Sequence, residues 1–374
     1  MSESLSTTAP APSADDGYEG FDGRLTKEQR RGRRKRLLSP KEFGGVYVWL
    51  LIIVVFAIAQ PHTFPTGASV RTIANTYAIS GIIALAVTIA MLCGLFDISV
   101  GYTMGLAACL SAWVMAHTSL PWWVAVLAGV AAGVAVGLVN AIAIVGFNLD
   151  PIIATLGTGS IIAALTTAIS GNLYIVDNVG GSFSENVARK AVFGFQEPFL
   201  VMLVLMLVFG FVLEWTKTGR FMYAIGFDRD TARLAGIRVQ AIQTLTLVCT
   251  GGLAAVAGVL LTARIGAYSP GAGPPYLLPA FAGAFLGATM FRSGRFNVWG
   301  TIVATLLLGT GQFGILLLGG PIWSSDVFNG VALLFAMAVA SFSPGAPARV
   351  RALSRLFGRR RPSPPVPSER LDQK

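Results

Sequence analysis

The chain is short of charge, cysteine and histidine, and each scarcity removes a class of function. Only 12% of its 374 residues are Asp, Glu, Lys or Arg, against roughly 25% in a soluble globular domain. The three cysteines, Cys93, Cys109 and Cys249, lie in or beside apolar runs with no CxxC spacing. They read as small packing residues rather than a disulfide or metal set. His62 and His117 are the only histidines and stand far apart, so the clustered His/Asp/Glu constellation of an integral-membrane enzyme acting on lipid is not supplied. None of the six lysines follows a glycine. The Gly-Lys-Ser/Thr loop that cradles nucleotide phosphates is therefore absent, and ATP hydrolysis is not expected on this chain. No cofactor is expected either. Asp97, Asp150, Glu214 and Arg264 fall at the ends of apolar runs, not in their middles. Ion-coupled transporters place charges or half-helix ends around an ion site. Transport powered from elsewhere is the favoured reading, with an ion-coupled secondary transporter as its rival.

What the chain does have is length in its apolar runs. About ten can be marked, at 44–60, 70–92, 98–117, 122–146, 151–170, 199–215, 239–263, 276–291, 297–319 and 325–342. Runs of about 17–25 apolar residues cross a hydrocarbon core roughly 30 Å thick as helices. With 54% hydrophobic residues and a mean hydropathy of +0.66, the expected fold is an all-α polytopic membrane protein of about ten helices. Eight spans would preserve the same parity. The run 276–291 holds Pro279 and is short enough to be re-entrant. Were it alone to fail to cross, the final span and the C-terminal tail would invert.

The basic residues give the orientation. Counting gaps alternately from the N-terminal tail, 24 of the 28 lysines and arginines fall on one parity. They include the cluster Arg30 to Arg36, five residues within 216–238, Arg292 and Arg295, and eight in the C-terminal tail. Cytoplasmic loops carry the positive excess, so both termini are expected in the cytoplasm. The net charge of +10 is assigned to topology and anionic-lipid contact rather than to nucleic acid. Residues 1–43 and 343–374 read as disordered cytoplasmic tails flanking a transmembrane domain at 44–342. Gln60-Pro61-His62 does not resemble a cleavage site, so the first run is expected to remain as a span.

Small residues mark helix contacts in lipid; Gly129, Gly133 and Gly137 recur every four residues, and Gly251, Gly252 and Gly258 mark a second span. The spans also carry neutral polarity, including Asn75, Ser99, Asn140, Thr155, Thr158 and Thr250. Each one alone fits interhelical hydrogen bonding; together they suit a pathway for a neutral, hydroxyl-rich solute. Asp97 fits a cap for the span opening at Ile98, with direct solute binding as the sharper alternative. In the segment 216–238, Asp230 is expected to cap a short helix over Thr231 to Ala235, and Gly236 to end it. That helix presents Arg233 and Leu234 and reads as a docking element.

Three ordered blocks resemble the permease subunits of bacterial ATP-binding-cassette importers of the ribose, xylose and autoinducer-2 type. They are Gly94-Leu-Phe-Asp97-Ile-Ser99-Val-Gly101, then Asn140 with Pro151-Ile-Ile-Ala-Thr155-Leu-Gly157-Thr158, then Tyr223-Ala-Ile-Gly226 with Ala232-Arg233-Leu234-Ala-Gly236. The likeness covers roughly 70 to 342. It departs in the last third, where Gly287-Ala-Thr289-Met290 and Pro279 replace commoner patterns. The resemblance implies a pore-forming subunit of the inner membrane that takes in a small neutral solute, a monosaccharide or related polyol. Branched-chain amino acids, nucleosides and autoinducers are the alternatives. It also implies two cytoplasmic ATP-binding subunits, or one duplicated ATPase, docking on 226–237 at Gly226, Asp230, Ala232, Arg233, Leu234 and Gly236. A second permease, identical or paralogous, and an extracytoplasmic solute-binding protein complete the implied assembly. Asn75, Asp97, Ser99, Asn140, Thr155 and Thr158 are the candidate pathway or gate residues.

Overall fold

A computed structural model describes residues 40–291 and 294–342. The two expected tails lie outside these residues, except that the first helix, α1, already begins at Pro40 and runs to Ala59. Every apolar run becomes helical. After α1 come α2 (Gly67–Leu92), α3 (Ser99–His117), α4 (Trp122–Ala141), α5 (Pro151–Ser170) and α6 (Glu197–Trp215). Two short helices follow, α7 (Lys217–Phe227) and α8 (Arg229–Leu234). Then come α9 (Val239–Ile265), α10 (Leu277–Ala288), α11 (Val298–Leu317) and α12 (Trp323–Phe342). Seven of these are long and apolar enough to cross a membrane unaided: α2, α3, α4 with its extension to Gly146, α5, α6, α9 and α11.

The core is the packing of α9 against α4, α3 and α2. Side chains had to be removed to permit it. A Cβ on Gly133 would lie 2.4 Å from the Gly251 carbonyl oxygen, and one on Gly251 would lie 2.2 Å from the Gly133 oxygen. Close backbone approach of this kind is how helices gain contact where lipid offers no hydrophobic driving force. Gly252, the next residue of the same helix, meets only Val134 at 3.7 Å and lies off the seam.

Helix α10 departs from a simple span. Its 12 residues rise only about 18 Å at 1.5 Å per residue. The preceding stretch 266–276 is non-helical apart from the turn Pro274–Tyr276. At its start Tyr268 exchanges backbone hydrogen bonds with Ile175, in the long connection that ends α5. Further along, Gly273 packs against the backbone of Gly101 and Gly105 inside the bundle. Gly287, near the end of α10, packs against Gly300 and Thr301 at the start of α11. The chain therefore goes from one end of the bundle to the other between 266 and 288, as an irregular, turn-rich half followed by a helical half. This run is discontinuous rather than re-entrant. The pairs Gly45 with Met290 and Gly314 with Phe56 put the starts and the ends of α1 and α11 at matching levels, so these two helices run in the same direction.

The two ends of the bundle differ. One carries α7 and α8. The other carries 171–196, which contains two π-helical turns, Val179–Phe183 and Glu185–Arg189, and a two-residue hairpin pairing Ala191–Val192 with Phe195–Gln196.

Candidate functional site

Four of the six candidate pathway or gate residues converge. The α2–α3 turn places Asp97 where its Oδ1 accepts from the Ser99 N–H at 2.9 Å and the Ser99 hydroxyl at 2.6 Å. The Ser99 hydroxyl in turn accepts from Asn140 Nδ2 of α4 at 2.7 Å. Thr155, at the start of α5, accepts from the Ile98 N–H at 3.2 Å and donates to its own helix at Pro151. A fifth group joins from α9: the Thr250 hydroxyl donates to Asp97 Oδ2 at 3.2 Å. All five side chains are buried. Asp97 thus satisfies the first N–H of α3, as expected of a cap, and also binds α3 to α9 and, through Ser99, to α4. Nothing among these contacts is open to a solute.

Asn75 and Thr158 lie elsewhere. Asn75 holds the loop-end hairpin, its Oδ1 accepting from the Gln196 N–H at 2.9 Å and its Nδ2 donating to the Gly194 carbonyl at 3.3 Å. Its own carbonyl accepts from Arg264 Nη1 at 2.8 Å, a fastening with no local sequence signal. Thr158 is half-buried and donates only to Ala154 of its own helix.

The second site is the segment between α6 and α9. Thr216 caps α7 by accepting from the Gly219 N–H at 3.3 Å. The face of α7 carrying Gly219, Met222 and Ile225 is buried. This helix was not anticipated, although the apolar positions at 222 and 225 are a three-residue repeat. Helix α8 starts earlier than expected: its cap is Asp228, whose Oδ1 accepts from the Thr231 N–H at 2.9 Å, while Asp230 sits exposed in the first turn. The reason is spacing, since a cap serves the amide two or three residues on and the helix begins at Arg229. That hydrogen bond holds the Asp228 carboxyl below the usual carboxylate range. Ala232 is buried against Ile225 and Val239. Arg233 and Leu234 face outward, Leu234 with 89% of its surface exposed. Gly236 ends the turn at φ 80°, in the left-handed region.

Gly226 joins the two sites. A Cβ there would lie 2.1 Å from the Leu92 carbonyl oxygen, so α7 sits directly on the last turn of α2, five residues before Asp97. A cavity of about 420 Å³ opens beside this contact, lined by Leu92, Tyr223, Asp228, Ala232, Arg295 and Phe296. No group of His, Cys, Asp or Glu among the described residues could hold a metal ion.

A bundle of long apolar helices tied together by buried polar side chains, with one exposed short helix at one end, defines a multi-pass helical membrane protein. Residues 69–337 match the family described as the permease component of a branched-chain amino acid transport system, and the chain belongs to that family. It is 30% identical over 321 residues to the ribose import permease protein RbsC of Bacillus subtilis, covering 84% of this chain and 98% of that one. It is 28% identical to the D-allose transport system permease protein AlsC of Escherichia coli, over 80% of this chain and 91% of that one. To the autoinducer 2 import system permease protein LsrD of Photorhabdus laumondii it is 30% identical, over 81% and 91%. No solved structure matches. The protein is a permease subunit of the ATP-binding-cassette import class and resides in the bacterial inner membrane.

Proposed function

We propose that this chain is the non-catalytic, pore-forming subunit of an importer that takes a monosaccharide or related polyol into the cytoplasm, driven by ATP hydrolysis on separate chains. The observation that carries the reading is α8: a capped, six-residue helix presenting Arg233 and Leu234 outward, with Gly226 touching the end of α2. Movement imposed on α8 is delivered through Leu92 to the turn holding Asp97. The named relatives supply the solute class, and the neutral polarity of the spans agrees with it. Two ATP-binding subunits, or one duplicated ATPase, dock at the α8 end, which is cytoplasmic, so both termini are cytoplasmic too. A second permease, identical or paralogous, completes the pore, and a solute-binding protein serves the loop end.

The test is uptake of labelled D-ribose and D-allose by the producing bacterium with this gene deleted and restored. Uptake is expected to return with the wild-type chain, to survive an uncoupler while ATP is held constant, and to be absent with Arg233→Glu despite normal membrane insertion. Uptake that collapses with the uncoupler at constant ATP makes the protein an ion-coupled transporter. Wild-type uptake by Arg233→Glu removes the docking role of α8.

A further inference from the structure

The discontinuity before α10 raises a physical question of its own. Non-helical backbone at membrane depth is tolerated only where it is buried in protein or lines a water-filled cavity. The stretch 266–276 does both. On one side Gly273 is pressed against Gly101 and Gly105 of α3. On the other it borders a cavity of about 180 Å³ between α3, α5 and residues 268–274. The walls include Tyr102, Gly105, Thr167, Asn172, Gly271 and Gly273, and no charged side chain lines it.

The chemistry of these walls is specific. Pro270 and Pro274 have no N–H, so this backbone offers carbonyl acceptors in excess of donors. Thr167 donates its proton to Ala163 at 3.0 Å, which leaves its oxygen lone pairs as acceptors. Asn172 supplies an amide that both donates and accepts, at the mouth where α5 gives way to the long connection. Tyr102 supplies a flat ring and a hydroxyl. The ring lies against α5 because Gly159 has no side chain; a Cβ there would sit 2.7 Å from its edge. An acceptor-rich, uncharged cavity suits a solute that brings many hydroxyl donors, and its ring C–H face matches the aromatic plane. A zwitterionic amino acid finds no counter-charge there and would lose its hydration uncompensated.

We propose that this cavity is a receiving subsite, one per permease chain, for a neutral polyhydroxylated ring solute entering from the loop end. The inference rests on the import function proposed above and assigns that function's solute contact to Tyr102, Thr167, Asn172 and the backbone of 270–274, not to the buried Asp97 cluster.

Two variants separate filling from misfolding. A Cβ on Gly105 meets nothing nearer than Gly273 at 3.7 Å, so Gly105→Ala is expected to insert and transport normally. Gly105→Leu places its branch in the cavity and is expected to lower the maximal rate of D-ribose or D-allose uptake about tenfold or more, the scale set by one occluding group in a fitted site. The direct readout is thiol protection in membrane vesicles holding the whole importer, with Cys93, Cys109 and Cys249 replaced by serine. Alkylation of Thr167→Cys by N-ethylmaleimide should be slowed by the transported sugar and not by L-leucine. Ser160→Cys, two turns nearer the start of the same helix on the same exposed face and outside the cavity lining, should be unaffected by both. If a sugar is transported but leaves Thr167→Cys unprotected, or if L-leucine protects equally, the subsite is wrong while the import function stands. If neither sugar is taken up, the import reading fails and the subsite falls with it, an outcome that the uptake measurement alone identifies.

Discussion

A carboxyl group with 3% of its surface exposed persists inside a helical bundle only when donors replace its lost water. Asp97 has three: the N–H and hydroxyl of Ser99 and the hydroxyl of Thr250. What these bonds require is an oxygen in the Oδ1 position. An asparagine supplies it there, and its Nδ2 can donate to Thr250, whose own proton turns to the Leu247 carbonyl 2.9 Å away. Asp97→Asn should therefore insert and transport nearly as the wild type does. Asp97→Ala strands the N–H and hydroxyl of Ser99, at about 1–3 kcal/mol for each buried group left without a partner, and should lower both the thermal stability of the detergent-solubilised protein and its uptake. Equal losses in the two variants would mean that the charge itself matters. The sequence exposed half of this arrangement. Asp97 before Ile98-Ser99 is readable as a cap because its partner is two residues away, whereas Thr250 is 153 positions off and no local pattern marks it.

At the scale of elements, helices were legible where a run was long and uniformly apolar, and illegible where boundaries depend on single hydrogen bonds. Helix α8 shows the limit: Asp228 and Asp230 are both good caps by composition, and only the position of Arg229 as first helical residue decides between them. The choice has a measurable consequence. Asp228→Ala should loosen α8 and depress uptake, Asp228→Asn should preserve it, and Asp230→Ala should have little effect. The pH dependence follows from the sign of the shift. The Asp228 carboxyl is held below its ordinary value of about 3.9, so its capping contribution is present above that value and fades only as the pH falls through the lowered one. Uptake by the wild type and by Asp228→Asn should then follow the same curve from about pH 8 to pH 5. A divergence within that range would show that Asp228 does not act as a simple cap. The broken run at 266–288 was only partly legible: Pro279 and the shortness of the run signalled irregularity, but the break lies ahead of them, in Gly- and Pro-rich residues that hydropathy reads as a loop.

For the whole molecule, the distribution of basic residues and the alternation of helices are independent lines that meet at one point. The contacts carry the chain from the α8 end to the loop end and back, with the run at 266–288 completing a crossing. They say nothing about which end faces the cytoplasm. The proposed orientation rests on the basic residues: the five in 216–238 lie at the α8 end, while Arg71, Arg189, Lys190 and Arg264 belong to the other. Arg264 illustrates why an exception is tolerated there, since its guanidinium is fixed on the carbonyls of Asn75 and Thr76 rather than acting as a free topological charge. If the broken run crosses, the C-terminal tail shares the α8 side; if it only dipped in and returned, that tail would lie outside with eight basic residues. A cysteine at Ser354 distinguishes the two. In whole cells it should resist an impermeant thiol reagent and react only after permeabilisation, while Thr118→Cys, in the loop-end turn between α3 and α4, should react without it. Labelling of Ser354→Cys in intact cells would overturn the crossing of 266–288 and, with it, the placement of the final span.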